Sequence, residues 1–226
     1  MNYTEQSKEQ LLVEIDNKSK AIINMGKQLI AITPKMESFD LLLIAALNRT
    51  VNISKAYTTL IRDNNFLAAA PLVRINIDTL LRLYASIISE FDRNTFASKV
   101  MGGELIKKMK LRGTKQDLRD DTLYIELSKI EGMEWVTEIY KAGNSFVHLE
   151  KSHIFSSLEV ADEKERVINM SIGFHDAFIP ESEKYGSAVW MNKIIDSIIQ
   201  QAQIWMYEKA QKVGFDIEEL NKIKLI

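Results

Sequence analysis

Apolar residues recur at helical spacing along most of the chain, and that pattern predicts long helices. Residues 4 to 31 carry Leu11, Leu12, Ile15, Ile22, Ile23, Met25, Leu29 and Ile30 at such spacing, with Gly26 weakening the helix but not ending it. Thr33-Pro34 closes the segment, because proline disfavours helix in the residue before it and suits the first turn of the next. A second helix is expected over about 37 to 63. Its first half, Phe39 to Leu47, is apolar nearly all round and is expected to sit centrally in the core.

A third helix follows the turn Asp63-Asn-Asn65, over about 66 to 91. Val73, Ile77, Leu80, Leu81, Leu83, Tyr84, Ile87 and Ile88 fill an arc of roughly 160° on it. Arg74, Asp78 and Arg82 fall opposite, at four-residue spacing. The simplest reading of that ladder is a solvated face with weak ion pairs. A helix buried on several sides would instead turn it toward a polar cleft, and Leu72 and Ile75 on that face point the same way. Further helices are expected over 93–110, 118–130 and 133–149, then a long one over 183–212 and a short tail after Gly214. Between them, His153–Val160 and Arg166–Phe174 are rich in β-formers. Ile168, Met170, Ile172 and Phe174 alternate with small or polar residues. The expected fold is all-α: one domain over 1–226, a bundle of about six to seven helices with a small β-hairpin excursion near 152–176.

Composition narrows the function classes. The chain has 226 residues, 46% hydrophobic and 27% charged, as in ordinary globular proteins. The net charge of −2 provides no global field toward nucleic acid or anionic membrane, so any such contact must be local. Cysteine is absent, which excludes disulfides, thiolate metal sites and a cysteine nucleophile and suits a reducing compartment. The N-terminus lacks the basic segment and apolar core of a secretory signal. The longest apolar run, Leu41 to Leu47, falls far short of the ~18 residues of a membrane span. A cytoplasmic location without membrane contact is expected.

The densest chemistry lies in Tyr140-Lys-Ala-Gly-Asn-Ser-Phe-Val-His148, which continues to His153. On a helix, Lys141, Asn144, Ser145 and His148 share one face. A histidine there is either a satisfied helix-end residue or a general acid–base whose tautomer a neighbour must fix. His148, Glu150 and His153 have the wrong spacing for a helical metal pair, and no metal or other cofactor is expected. A basic cluster runs through Lys107, Lys108, Lys110, Arg112, Lys115 and Arg119. It reads either as a solvated helix C-terminus or as a phosphate-binding patch. It has no interleaved aromatics for stacking, and the chain has no phosphate loop, nucleophile elbow or zinc-protease motif.

The pairing of Arg74-x-x-x-Asp78-x-x-x-Arg82-Leu-Tyr84 with Tyr140-x-x-x-x-Ser145-x-Phe-Val-His148 resembles poorly characterised bacterial all-helical proteins that look like distant members of the HEPN superfamily. The resemblance covers about 37–212. It implies a helical bundle, often dimeric, with metal-independent endoribonuclease activity in toxin–antitoxin, abortive-infection and other antiviral defence systems. In the family an arginine lies four to six residues before a histidine, usually followed by a polar residue. His148 matches the histidine and Asn144 the polar position. The arginine is not matched: of Lys141, Ala142 and Gly143 only Lys141 is cationic, and lysine lacks the bidentate fork.

The resemblance implies His148 as general acid or base, Lys141 as phosphate clamp, and Asn144 and Asp78 as its orienting groups. RNA would lie along Lys107, Lys108, Lys110, Arg112, Lys115 and Arg74. The alternative is a non-catalytic helical module that binds a protein partner or senses a signal. A homodimer is expected under both, since the first two helices carry more apolar surface than one bundle requires.

Overall fold

The computed structural model describes residues 5–148, 151–173 and 175–220. Leu12, Ile15, Ile22, Met25, Leu29 and Ile32 line the buried stripe of α1 (Glu5–Ile32), which runs unbroken through Gly26. After Pro34 the chain re-enters helix at α2 (Ser38–Arg62) through a reciprocal cap between Glu37 and Asp40. α1 packs against α2 and against the last long helix, α8 (Glu181–Val213). Gly214, in the left-handed region at φ 69°, ends α8, and α9 (Ile217–Leu220) follows.

α3 (Phe66–Ile88) is the central helix, in contact with α2, α8, α4 (Arg93–Met101), α5 (Asp120–Ser128) and α6 (Trp135–Val147). Asn65 caps its start by accepting from the Ala68 N–H at 3.2 Å. The expectation that Phe39 to Leu47 of α2 would be central is corrected. Phe39, Leu43 and Leu47 are buried, but Leu41 is 49% exposed, because no described helix covers the outer side of α2. The solvated reading of the Arg74–Asp78–Arg82 ladder is corrected as well. With α5 and α6 packed on α3, these side chains are only 14%, 21% and 29% exposed.

Asp40 and Lys209 join α2 to α8 inside the core. Both are fully buried, with Nζ 2.6 Å from Oδ2, while the Trp205 indole N–H donates to Oδ1 at 2.8 Å. Phe39 meets Trp205 edge-on, with ring centroids 4.8 Å apart.

The fourth helix ends well before residue 110. Gly102 and Gly103, the latter at φ 88°, break it, and the chain continues through a single 3-10 turn at Ile106–Lys108. The basic cluster therefore does not sit on a helix C-terminus. Lys107 and Lys108 lie in that turn and Arg119 caps the start of α5, while Lys110, Arg112 and Lys115 sit on a loop held at both ends by buried Met109 and Leu118, the Leu118 N–H donating to the Met109 carbonyl at 2.9 Å.

The hairpin is present but shifted. Residues from Lys151 to Ser157 form α7, where a strand is expected from His153, and β1 (Leu158–Asp162) and β2 (Val167–Met170) pair antiparallel after it. Cross-strand partners Leu158–Met170 and Val160–Ile168 gather the apolar residues on one face. That face stays in solvent, with Met170 79% exposed. Leu149, Glu150 and Phe174 lie outside the described residues. No described helix is long and apolar enough to cross a membrane.

Candidate functional site

The polar face of α3 meets α6 through a close approach at Gly143. A Cβ there would lie 3.0 Å from Arg74 Cβ and 3.2 Å from its Cδ, so glycine lets the arginine lie along α6. Arg74 Nε donates to Asn144 Oδ1 at 2.8 Å. Its guanidinium carbon sits 3.8 Å from the centroid of the Tyr140 ring, a cation–π contact, and Tyr140 stacks on Tyr124 at 4.6 Å. Helical spacing puts Tyr140, Asn144 and His148 in one stripe, of which the first two touch Arg74.

Asp120, at the start of α5, closes the arrangement. Its Oδ2 accepts from Tyr140 Oη at 3.0 Å and lies 3.5 Å from Arg74 Nη2, while Oδ1 pairs with Arg82. Arg82 also pairs with Asp78 at 2.9 Å, and Arg49 of α2 lies 3.7 Å from the other Asp78 oxygen. A continuous polar chain thus runs from Arg49 through Asp78, Arg82, Asp120 and Arg74 to Asn144.

Burial opposes ionisation of Asp120, but Arg82, Tyr140 and Arg74 outweigh it and hold the carboxyl below the usual carboxylate range. Burial pushes the Tyr140 hydroxyl up to about 12, with Arg74 opposing the shift and Asp120 adding to it. The site therefore contains an ionised carboxylate and a protonated phenol at neutral pH.

His148 stands at the open end of the stripe. It is the exposed C-cap of α6, and its backbone N–H donates to the Asn144 carbonyl at 3.2 Å. No hydrogen bond or ion pair involves its ring among the described residues. Lys141 is exposed on the same face, and the Ser145 hydroxyl donates to the Ala142 carbonyl at 2.7 Å. Asp78 is directed to Arg82 and Arg49 rather than toward His148. The carboxylate that supports the Arg74–Asn144 end of the stripe is Asp120.

The basic loop divides into two groups. Lys107 and Lys108 line a groove of about 1130 Å³ with Arg119 and Arg82, interspersed with Glu104, Asp117 and Asp120. Arg82 and Asp120 are shared between this groove and the polar chain, so the two are continuous. Lys110 is paired with Asp117. Arg112 seals the end of α3 by donating from Nε to the Ser89 carbonyl and from Nη2 to the Ile87 carbonyl, each at 3.0 Å. Lys115 is exposed on the loop. The groove thus presents the Lys107 and Lys108 ammonium groups and the Arg119 guanidinium at the surface, while Lys110, Arg112 and Arg74 are engaged within the fold.

Apart from the stripe, His175 fixes a loop, its Nδ1 lying 2.8 Å from the Asp63 carbonyl. Among the described residues no three His, Asp or Glu side chains gather as a metal-binding group. Comparison of the chain with protein-family models, with curated proteins and with solved structures gave no match.

Proposed function

We propose that the protein binds RNA along the Lys107–Lys108 groove and cleaves it without metal at His148. The observation that carries this reading is the meeting of Arg74 with Asn144 one helical turn before an exposed histidine. Arg74 supplies from α3 the arginine that the α6 sequence lacks, and it does so as the positioning partner of Asn144. Lys141 is the accessible cation on the face of His148. Seven residues at about 1.5 Å each separate the two along the helix, so Lys141 holds a neighbouring phosphate rather than the scissile one.

In the reaction His148 takes the proton of a ribose 2′-hydroxyl. The freed oxygen bonds to phosphorus and the bond from phosphorus to the 5′-oxygen breaks. The departing oxygen takes a proton from water, leaving a 2′,3′-cyclic phosphate and a 5′-hydroxyl. Phosphate contacts of Lys107 and Lys108 position the strand without reading its sequence.

A second reading, an RNA-binding module without catalysis, is favoured by one specific observation. The groups of the polar chain satisfy one another, and no described side chain fixes the tautomer of His148. The test is incubation of a mixed RNA pool with wild-type protein in EDTA, with analysis of product ends, beside filter binding of the same pool. Products ending in cyclic phosphate support the first reading. Binding without cleavage, abolished by Lys107→Glu/Lys108→Glu, supports the second, and absence of both overturns the assignment to RNA.

A further inference from the structure

A second cavity, of about 330 Å³, lies between α3, α6 and the start of α8. Its walls are Phe66, Phe146 and Trp190, together with two glycines, Gly143 and Gly186. The rings of Phe66 and Phe146 meet edge-on at 5.4 Å and form a rigid aromatic corner. The cavity opens to solvent at the exposed Ser182 and Glu183, and its three aromatic side chains give it a largely apolar wall. It falls at the small end of the range for ligand sites, which suits a compound of one or two rings.

The two glycines have different causes. Gly143 packs against Arg74, whose Cβ an added Cβ would approach to 3.0 Å. Gly186 has no such neighbour: it lies in the second turn of α8, and a Cβ there would meet nothing within 4 Å. Glycine at a helical position costs stability relative to alanine. A position on the cavity wall is therefore left without a side chain where the fold does not demand glycine.

The polar groups of the wall define what can enter. The Ser187 hydroxyl donates to the Lys184 carbonyl at 2.8 Å and lies 2.6 Å from the Tyr57 hydroxyl, which leaves its oxygen one lone pair to accept from a single ligand N–H. The exposed Glu183 carboxylate at the rim makes no ion pair among the described residues and repels an anion. We propose that this cavity is a binding site for a small aromatic molecule that carries no negative charge. The site is independent of the RNA reading.

The test is isothermal titration of the full chain with indole and with indole-3-acetate, alongside their effect on melting temperature. Wild type is expected to bind one indole and to melt at higher temperature with it, and to bind indole-3-acetate at least about tenfold more weakly. Gly186→Leu fills the space and should abolish indole binding without lowering the melting temperature. Glu183→Gln, a surface change that leaves the fold intact, should remove the discrimination against indole-3-acetate. No heat and no thermal shift at millimolar indole would overturn the proposal. So would indole binding that survives Gly186→Leu, or discrimination unchanged in Glu183→Gln.

Discussion

Arg74 Nε donates to Asn144 Oδ1 at 2.8 Å, and this one hydrogen bond joins the central helix to the helix that ends at His148. It depends on Gly143, which leaves room for the arginine to lie along α6. Gly143→Ala places a methyl group 3.0 Å from Arg74 Cβ and should destabilise the protein by about 1–3 kcal/mol, as overpacking does. Urea denaturation measures it. An unchanged midpoint would mean that α3 and α6 separate easily.

The buried Asp40–Lys209 pair makes a stronger demand. Lys209→Met leaves the carboxylate in the core with the Trp205 indole and the Glu37 backbone N–H as its remaining donors among the described residues. The expected loss is about 3–5 kcal/mol, the usual cost of breaking a buried pair by removing one partner. Denaturant midpoints of wild type and variant decide it.

Acid should destabilise the protein through Asp120. Its folded pKa lies below the ordinary value, so its contribution is present above the unfolded pKa near ~3.9 and is lost as pH falls through the folded one. Melting temperatures below about pH 4 should fall less steeply for Asp120→Asn than for wild type. Tyr140 has the opposite sign. Its folded pKa of about 12 is raised, so its contribution is complete below the unfolded value and lost as pH rises through the folded one. Tyr140→Phe should flatten the alkaline limb of the stability curve.

Salt dependence reports on the groove. For single-stranded RNA, every phosphate that a lysine neutralises adds about 0.7 to the steepness with which log K falls against log salt. Lys107→Glu/Lys108→Glu should therefore weaken RNA binding and make that dependence shallower by about 1.4 if both lysines meet phosphate. Lys115→Glu, outside the groove lining, should change it little.

The helices α1, α3 and α8 are legible because their apolar residues recur at helical spacing, and Gly214 supplies the stop for the last. The end of α4 is not, because Leu105 and Ile106 continue the apolar pattern past the Gly102-Gly103 break. His153–Ser157 is rich in β-formers yet helical, since strand propensity is a preference for packing on a sheet and the described residues hold only two short strands to pack on. Arg74, Asn144 and His148 stand out by residue type and spacing. Asp120 does not, because its partners Arg74, Arg82 and Tyr140 lie far away in sequence and a charge pair leaves no periodic trace. The feature that would have marked it is its place in the first turn of a helix, where acidic side chains are common for electrostatic reasons alone.

The most direct measurement is the rate of RNA cleavage by wild type and by His148→Ala, with EDTA present and stability checked in parallel. His148 is exposed and its ring has no described partner, so the substitution should change stability by less than about 0.5 kcal/mol. The expected result is cleavage by wild type alone, with both proteins equally folded. Equal rates for the two proteins, or no cleavage by either, would contradict a catalytic centre at His148.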